Sequence, residues 1–354
     1  MSDNANLSKT NAKFELQPLQ DYLEDRIGRF KSPLSVRIFA DGASNPTYLL
    51  STDGDRWVMR SKPIGKLAPG AHAIHREFRI LTALQNVDFP APKPILYCDD
   101  PSVIGADFYL MEFIEGRIFH DYNLPGLSAS ERSQIYDSMN QLIARLHSLD
   151  YREMGLEDYG KGAGFFSRQV ALWERQYYAH TLRVEGFERL AEWIKANIPE
   201  ERTSITHGDF SLLNLLCHPI EPRIVGVLDW ELSTIGHPLA DFAYNLIHWY
   251  SPTTRAHLGY YTLDGNDLAG TGIPSMEKYI SMYCERTGND ISAREINFAI
   301  AFNLFRGIGI SVGNLARVED GTAKNELSES CRGMVLPSLE RAWHFVEKAD
   351  RLRS

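Results

Sequence analysis

The stretch Ile205-Thr-His-Gly-Asp-Phe-Ser-Leu-Leu-Asn-Leu-Leu216, followed by Ile224-Val-Gly-Val-Leu-Asp-Trp-Glu231, decides how the chain is read. Asp209, Asn214 five residues on, and Asp229 stand at the ends of short apolar segments. The run Ile224–Leu228 suits a buried strand, so the Asp229 carboxylate emerges where that strand leaves the core. Asp209 is expected to accept or direct the proton of a hydroxyl. An unperturbed carboxylate is a weak base, so positioning supplies more of that effect than proton affinity. Asn214 offers a neutral oxygen and Asp229 an anionic one, the hard donors magnesium takes alongside water and phosphate oxygens. Taken singly, Asp209 does no more than cap a turn, and Asn214 no more than satisfy loop backbone groups. The three together at these spacings argue for chemistry.

Working outward, the N-terminal side reads as a small antiparallel sheet. Leu19, Tyr22, Leu23, Ile27 and Phe30 recur at helical spacing after Pro18. Strand-like runs follow at Leu34–Ala40, Thr47–Ser51 and Arg56–Arg60, joined by the turn signals Asp41–Pro46 and Asp53-Gly54. A helix is expected over 71–86, ended by the Pro-rich stretch Phe89–Pro94, and strands return at Ile95–Cys98 and Phe108–Ile114. Beyond Gly116 the pattern is mostly helical. Ser128-Ala-Ser-Glu131 is a capping box ahead of Ile135, Met139, Leu142, Ile143 and Leu146 on one face. Further helices are expected near 167–181, 185–197, 239–250, 275–287, 292–316 and 335–349, with short strands around the Asp209 and Asp229 segments. The division expected is an N-lobe of residues 1–115, with 1–12 a loose tail, and a C-lobe of residues 116–354. Residues 292–316 are apolar enough to suggest a membrane span, but Asn297, Asn303 and Arg306 interrupt them, and a buried core helix is the better reading.

With 354 residues and 44% hydrophobic content, the chain can bury a large core. Its net charge of −9 argues against a nucleic-acid partner, since phosphate backbones are bound through basic surface. The tail lacks the apolar core of a signal peptide and the arginines of a transit peptide. The four cysteines lie far apart without metal-ligand spacing. A reduced, cytoplasmic setting and no membrane association are the expectations.

The order Asp, Asn, then a strand ending in Asp resembles the catalytic loop and metal-binding Asp of protein kinases, with His-Gly-Asp where those carry His-Arg-Asp. It is similar to the aminoglycoside phosphotransferase and choline kinase branch of that superfamily. The resemblance runs from about Leu34 to Trp249. Its further landmarks are Gly42-Ala-Ser-Asn-Pro-Thr-Tyr48, Arg60-Ser-Lys-Pro63, Ala71-His-Ala-Ile-His-Arg-Glu77 and Met111-Glu-Phe-Ile-Glu-Gly116. It looks closest to the phosphotransferase-like domains found fused to acyl-CoA dehydrogenases. In that group Arg at position 60 and Trp-Glu after the metal Asp recur, as does the stretch Tyr159–Val170, expected near the acceptor site.

The resemblance implies an α+β, two-lobed protein-kinase-like fold with a hinge near Glu112–Gly116. It implies transfer of the γ-phosphate of ATP, or of GTP, to a hydroxyl of a small molecule with Mg2+. A hydroxyacyl-CoA or other hydroxy-acid derivative is then a candidate acceptor. Asp209 takes the role of base, and His207 holds the loop by hydrogen bonds. Asn214 and Asp229 take the metal. Gly42, Ser44 and Asn45 fall where a loop covers nucleotide phosphates, and the backbone from Glu112 to Ile114 falls at the purine edge. Arg60 stands where most relatives have Lys. Its planar fork is not equivalent to an ammonium, so Lys62 is a nearby substitute, and Glu77 is expected to pair with that cation. Glu231 is either a group behind the metal site or a helix-start acid. Gly208 removes the Arg that reads a phosphorylated activation loop, and only 11 residues separate Asp229 from Asp241. Both point to a small-molecule acceptor, and Asp241 is expected to fix the loop.

Two readings compete. A catalytically silent kinase-fold binding module predicts a damaged base or metal set, whereas only Arg60 departs from the pattern. A serine hydrolase is suggested by Gly309-Ile-Ser-Val-Gly313 with Asp320 and His344 following, but Ser311 lies in a helix-like run without the strand and sharp turn an elbow needs. His72 and His75 lack a third ligand at metalloenzyme spacing, and Gly160-x-Gly162-x-Gly164 lacks the spacing of a dinucleotide site.

Overall fold

The computed structural model describes residues 7–8, 14–39, 45–64, 73–179, 181–252, 262–319 and 326–352. The chain forms two compact units, Met1–Arg117 with Leu216–Ser233, and Ile118–Leu215 with Thr234–Ser354. The first unit runs on to Arg117 and also takes in Leu216–Ser233, a segment expected in the C-lobe. Three non-local interactions account for this. Arg117 and Cys217 exchange backbone hydrogen bonds (2.7 and 2.8 Å), Val227 N donates to Pro90 O (2.8 Å), and Trp230 packs edge-on against Phe89.

The first unit begins with β1 (Leu7–Ser8), α1 (Leu16–Ile27), β2 (Ser35–Phe39), β3 (Thr47–Ser51) and β4 (Arg56–Ser61). It continues with α2 (Ile74–Gln85), β5 (Pro94–Cys98), α3 (Pro101–Ile104) and β6 (Phe108–Glu112). Its antiparallel sheet has the order β1-β2-β3-β4-β6-β5. Register and the two-residue alternation of strands sort the side chains. Tyr48, Met59 and Leu110 lie opposite one another and pack with Leu19 and Leu23 of α1. One residue along, Arg60 and Tyr109 are paired and point to the other face, where α2 packs. Helix α1 starts two residues before Pro18. Proline is tolerated there because the first turn's N–H groups have no intrahelical acceptor. Helix α2 lies within the helix expected over 71–86, with Ala73 and Asn86 as its caps; residues 71 and 72, with His72, lie outside the described residues, as do the tail apart from Leu7–Ser8 and the Asp41–Ser44 turn.

The second unit contains α4 (Ala129–Ser148), α5 (Phe165–Tyr178), α6 (Phe187–Ala196) and β7 (Ser204–Thr206). The chain then runs through β8 (Leu215–Cys217) and β9 (Ile224–Val227), which pair with each other, and returns with β10 (Thr234–Gly236), which pairs with β7. Helices α7 (Pro238–Asn245), α8 (Ile247–Tyr250), α9 (Met276–Thr287), α10 (Ala293–Glu319) and α11 (Glu326–Arg351) complete it. The Ser128–Glu131 capping box is formed, and Ile135, Met139, Leu142, Ile143 and Leu146 are all buried. The single helix expected over 239–250 is interrupted at Leu246. Helix α11 begins nine residues earlier than expected and carries Pro337 inside it.

Helix α10 is the unit's central element, packed against α5, α6, α7 and α11. Among the described residues its segment Ala293–Leu315 alone is long and apolar enough to cross a membrane, and 72% of the most apolar window is buried. Gly309 lets α10 approach Trp173 of α5, whose ring would lie 3.2 Å from an added Cβ. Ser311 therefore sits mid-helix and buried rather than on a nucleophile elbow; Asp320 lies outside the described residues.

Candidate active site

In the first unit, Arg60 gathers three carboxylates. Its Nη2 donates to Asp229 Oδ1 (2.9 Å) and Glu231 Oε2 (3.1 Å), and its Nε lies 3.2 Å from Glu77 Oε2. That last contact is an ion pair without an aligned hydrogen bond, leaving the buried Nε–H unsatisfied. Glu77 is 1% exposed and also accepts from Tyr109 Oη (2.9 Å) and Asn45 Nδ2 (3.3 Å); the same amide reaches Glu231 Oε2 (3.3 Å). Burial pushes Glu77 up to about 7 against the pull of Arg60 and Tyr109. Burial works against the Arg60 charge, but Glu77 and Asp229 outweigh it and hold the guanidinium firmly protonated. The expected Glu77–cation pair is present with Arg60 as the cation. Glu231 is part of that network, so its role as a mere helix-start acid is set aside.

Lys62 lies elsewhere. Its ammonium pairs with Asp107, which also accepts from Tyr97 Oη (3.2 Å). Glu112 ends β6 with its N–H bonded to Lys93 O (2.9 Å), and Ile114 packs against Gly226. Gly42 and Ser44 lie outside the described residues. Asp229 adopts a left-handed backbone (φ 62°) at the start of the single turn Trp230–Leu232. Trp230 is buried, its Nε1 donating to Val227 O (2.9 Å).

In the second unit, β7 delivers a short loop held by polar groups. Gly208 has φ 83°, a conformation that glycine adopts without a Cβ penalty. Asp241 of α7, 3% exposed, accepts from His207 N (2.7 Å) and Gly208 N (2.8 Å). His147 Nε2 lies 3.1 Å from the same carboxylate, and its Nδ1 is 2.7 Å from Tyr283 Oη. A carboxylate only accepts, so Nε2 carries the proton. His207 is fully buried, and its Nδ1 accepts from Asp209 N (3.2 Å), a bond within the loop.

Asn214 Nδ2 donates to Asp209 Oδ2 (2.8 Å) and to Asp209 O (2.9 Å). Both acceptors fix the amide's orientation, which leaves Oδ1 unspent. Asp229 likewise gives only Oδ1 to Arg60. One neutral and one anionic oxygen therefore remain on the two residues the sequence assigns to magnesium, a donor chemistry that fits that ion. Among the described residues no group of three or more His, Cys, Asp and Glu side chains could hold a metal by itself.

Two residues of this loop's surroundings escape the sequence motif. Tyr244, three residues after Asp241 on α7, lies near Asp209; burial raises its hydroxyl well above the usual value and the Asp209 charge raises it further. Arg306 of α10 donates from both Nη atoms to Gly208 O (3.3 and 3.2 Å), and its guanidinium lies 5.2 Å from the Tyr244 ring centre. Its signal was visible as a charge interrupting an apolar run. Within the expected acceptor-side stretch, Gly160 lies against β10, where an added Cβ would come within 2.4 Å of Ile235 N. A cavity of about 390 Å³ between the end of α6 and the start of α10 is lined by none of the assigned residues.

The α+β elements and the Arg60–Glu77 pair are those of a kinase-like fold, and comparison with known proteins agrees. Residues 35–277 match the phosphotransferase enzyme family, and the chain belongs to it. A Ralstonia eutropha structure assigned as an aminoglycoside phosphotransferase is 40% identical, with a TM-score of 0.84 over 95% of this chain and 99% of that one. Choline kinase from Cryptosporidium parvum shares the fold at 14% identity, with a TM-score of 0.66 over 94% of this chain and 97% of that one. Acyl-CoA dehydrogenase family member 11 of Mus musculus is 42% identical over 346 residues, 96% of this chain. The chain spans 44% of that protein's length.

Proposed function

We propose that the protein moves the γ-phosphate of ATP or GTP to a hydroxyl of a small molecule. The observation that carries this is the Asp209–Asn214 pair, set in a loop pinned by Asp241 and His207 in a chain of the phosphotransferase family. Phosphoryl transfer through a loose transition state asks the protein for position and charge more than for covalent help. Asp209 orients the attacking hydroxyl and takes its proton. Arg60, kept cationic and oriented by Glu77, contacts the nucleotide phosphates. Asn214 Oδ1 and Asp229 Oδ2 are the oxygens assigned to magnesium. When bound, that ion supplies positive charge against the phosphate oxygens. A hydroxyacyl-CoA or related hydroxy-acid derivative is the preferred acceptor, because relatives named acyl-CoA dehydrogenases contain a segment similar to nearly the whole of this chain.

The test is a screen of purified protein with Mg-ATP and Mg-GTP against small hydroxylated metabolites, hydroxyacyl-CoAs included, read by mass spectrometry. For the acceptor found, Asp209→Ala should lower turnover by about 10²–10⁴-fold with Mg-nucleotide binding largely kept, and Asp229→Ala should weaken that binding. Unchanged phosphate transfer in Asp209→Ala refutes the assignment. The silent-module reading rests on Arg60 alone, and failure with every acceptor would favour it.

A further inference from the structure

The peptide of Gly208, immediately before Asp209, is held at both ends. Its N–H donates to Asp241, and its carbonyl accepts twice from Arg306. Arg306 stands in an otherwise apolar part of α10, between buried Phe305 and Ile308, and among the described residues no carboxylate lies within ion-pair distance of it. Placing an unpaired guanidinium in such surroundings is costly unless it is hydrogen-bonded, and here the Gly208 carbonyl and the Tyr244 ring face take the place of a counter-ion. A cation kept for packing alone has no need to bond both Nη atoms to one carbonyl of the loop that carries the base.

We propose that Arg306 is a positioning residue for Asp209: from α10 it locks the Gly208 peptide that precedes the carboxylate. The division of labour is specific. Asp241 and His207 hold the loop through its N–H groups, and Asn214 holds one oxygen of Asp209. Arg306 supplies a further restraint, on the carbonyl that precedes Asp209. The mechanistic meaning rests on the phosphotransfer reading above, whereas the mechanical coupling does not.

Hydrogen exchange of the full chain, followed by mass spectrometry, reads that coupling without an acceptor. In Arg306→Gln, peptides covering 205–216 should exchange about tenfold faster, the loss expected for a charged hydrogen bond. Peptides of α4 and α6 should be unchanged, and Arg306→Lys should recover part of the protection. Arg306→Gln should also lower kcat about 10–100-fold with the KM for Mg-ATP within about twofold. Those kinetics are measured with the acceptor found above or, in its absence, as ADP release from Mg-ATP to water. Loop exchange unchanged in Arg306→Gln, or faster exchange throughout the unit, overturns the proposal. So does an Arg306→Gln enzyme with wild-type kcat, or one whose loss lies entirely in KM. Should Asp209→Ala stay active while the exchange coupling holds, the function reading fails and the mechanical one stands.

Discussion

Asp241→Asn tests the claim that one buried carboxylate organises the loop. The two oxygens of Asp241 receive His207 N, Gly208 N and His147 Nε2 at 2.7, 2.8 and 3.1 Å. An amide keeps one acceptor oxygen and turns an NH2 toward one of these donors, so at least one buried donor is stranded and the others lose charge assistance. Breaking one member of a buried charged set costs about 3–5 kcal/mol, and retaining one acceptor places this case near 3 kcal/mol. For a unit of about 220 residues, at 2–4 °C per kcal/mol, the Tm should fall by roughly 6–12 °C at pH 7. The pH dependence has a definite sign. Burial pushes the Asp241 carboxyl up, but the hydrogen bond from His147 and the neighbouring charges outweigh it and hold the group below its ordinary 3.8. A depressed folded-state value means the stabilisation is fully present above about 3.8 and is lost as pH falls through the lower folded value. Asn does not titrate. Denaturant unfolding followed by tryptophan fluorescence should therefore show a constant wild-type advantage from pH 7 to about 4.5, narrowing below the ordinary carboxylate range. A Tm loss under about 2 °C, or a gap that stays constant or widens toward pH 3, refutes the reasoning.

Arg60→Met should weaken Mg-ATP binding at least about tenfold in calorimetry and lower stability, because it leaves the buried Glu77 without its cation. Lys62→Met should change affinity by less than about twofold and stability by less than about 1 kcal/mol, since its pair with Asp107 is more than a quarter exposed on both sides; the reverse ranking would return the phosphate role to Lys62. Gly160→Ala should lower the Tm more than Gly162→Ala. The first drives a Cβ to 2.4 Å from Ile235 N, costing about 2 kcal/mol or more. The second meets open space and carries only the strain of φ +60°, about 1 kcal/mol. Equal losses would mean that Gly160 is not closely packed.

The parts of this fold that were legible in the sequence are those written in local pattern. The limits of β3, the capping box of α4, the buried stripe along that helix and the apolar strand ahead of Asp229 follow from alternation, helical spacing and a side-chain cap. Asp241 could be read as a loop anchor because it lies just beyond the catalytic stretch on a helix. The allocation of Leu216–Ser233 to the first unit could not be read, because it depends on a hydrogen bond from Val227 to Pro90, far away in the chain. Tyr244, Arg306 and His147 were missed for the same reason, although Arg306 had left a trace as the charge that breaks an apolar run. Lys62, expected as a nearby substitute for the Arg60 cation, shows how little proximity in sequence fixes: β4 ends at Ser61 and the ammonium pairs with Asp107.

Asp229 shows why a motif names chemistry without holding its geometry. A left-handed backbone at a residue other than glycine costs about 1–2 kcal/mol and persists only where the surroundings over-determine it. Those surroundings lie on either side of the residue. Behind it, Trp230 is locked into the core by its bond to Val227 O and its edge contact with Phe89, and Ser233 Oγ donates to Trp230 O. Ahead of it, Arg60 takes one carboxylate oxygen. The tryptophan in the place of the protein-kinase Phe thus has a mechanical role: its indole N–H fixes the turn that aims the carboxylate, which a phenyl ring could fill in volume but could not bond. Trp230 and Arg60 are therefore parts of one restraint on Asp229, applied from the core side and from the sheet.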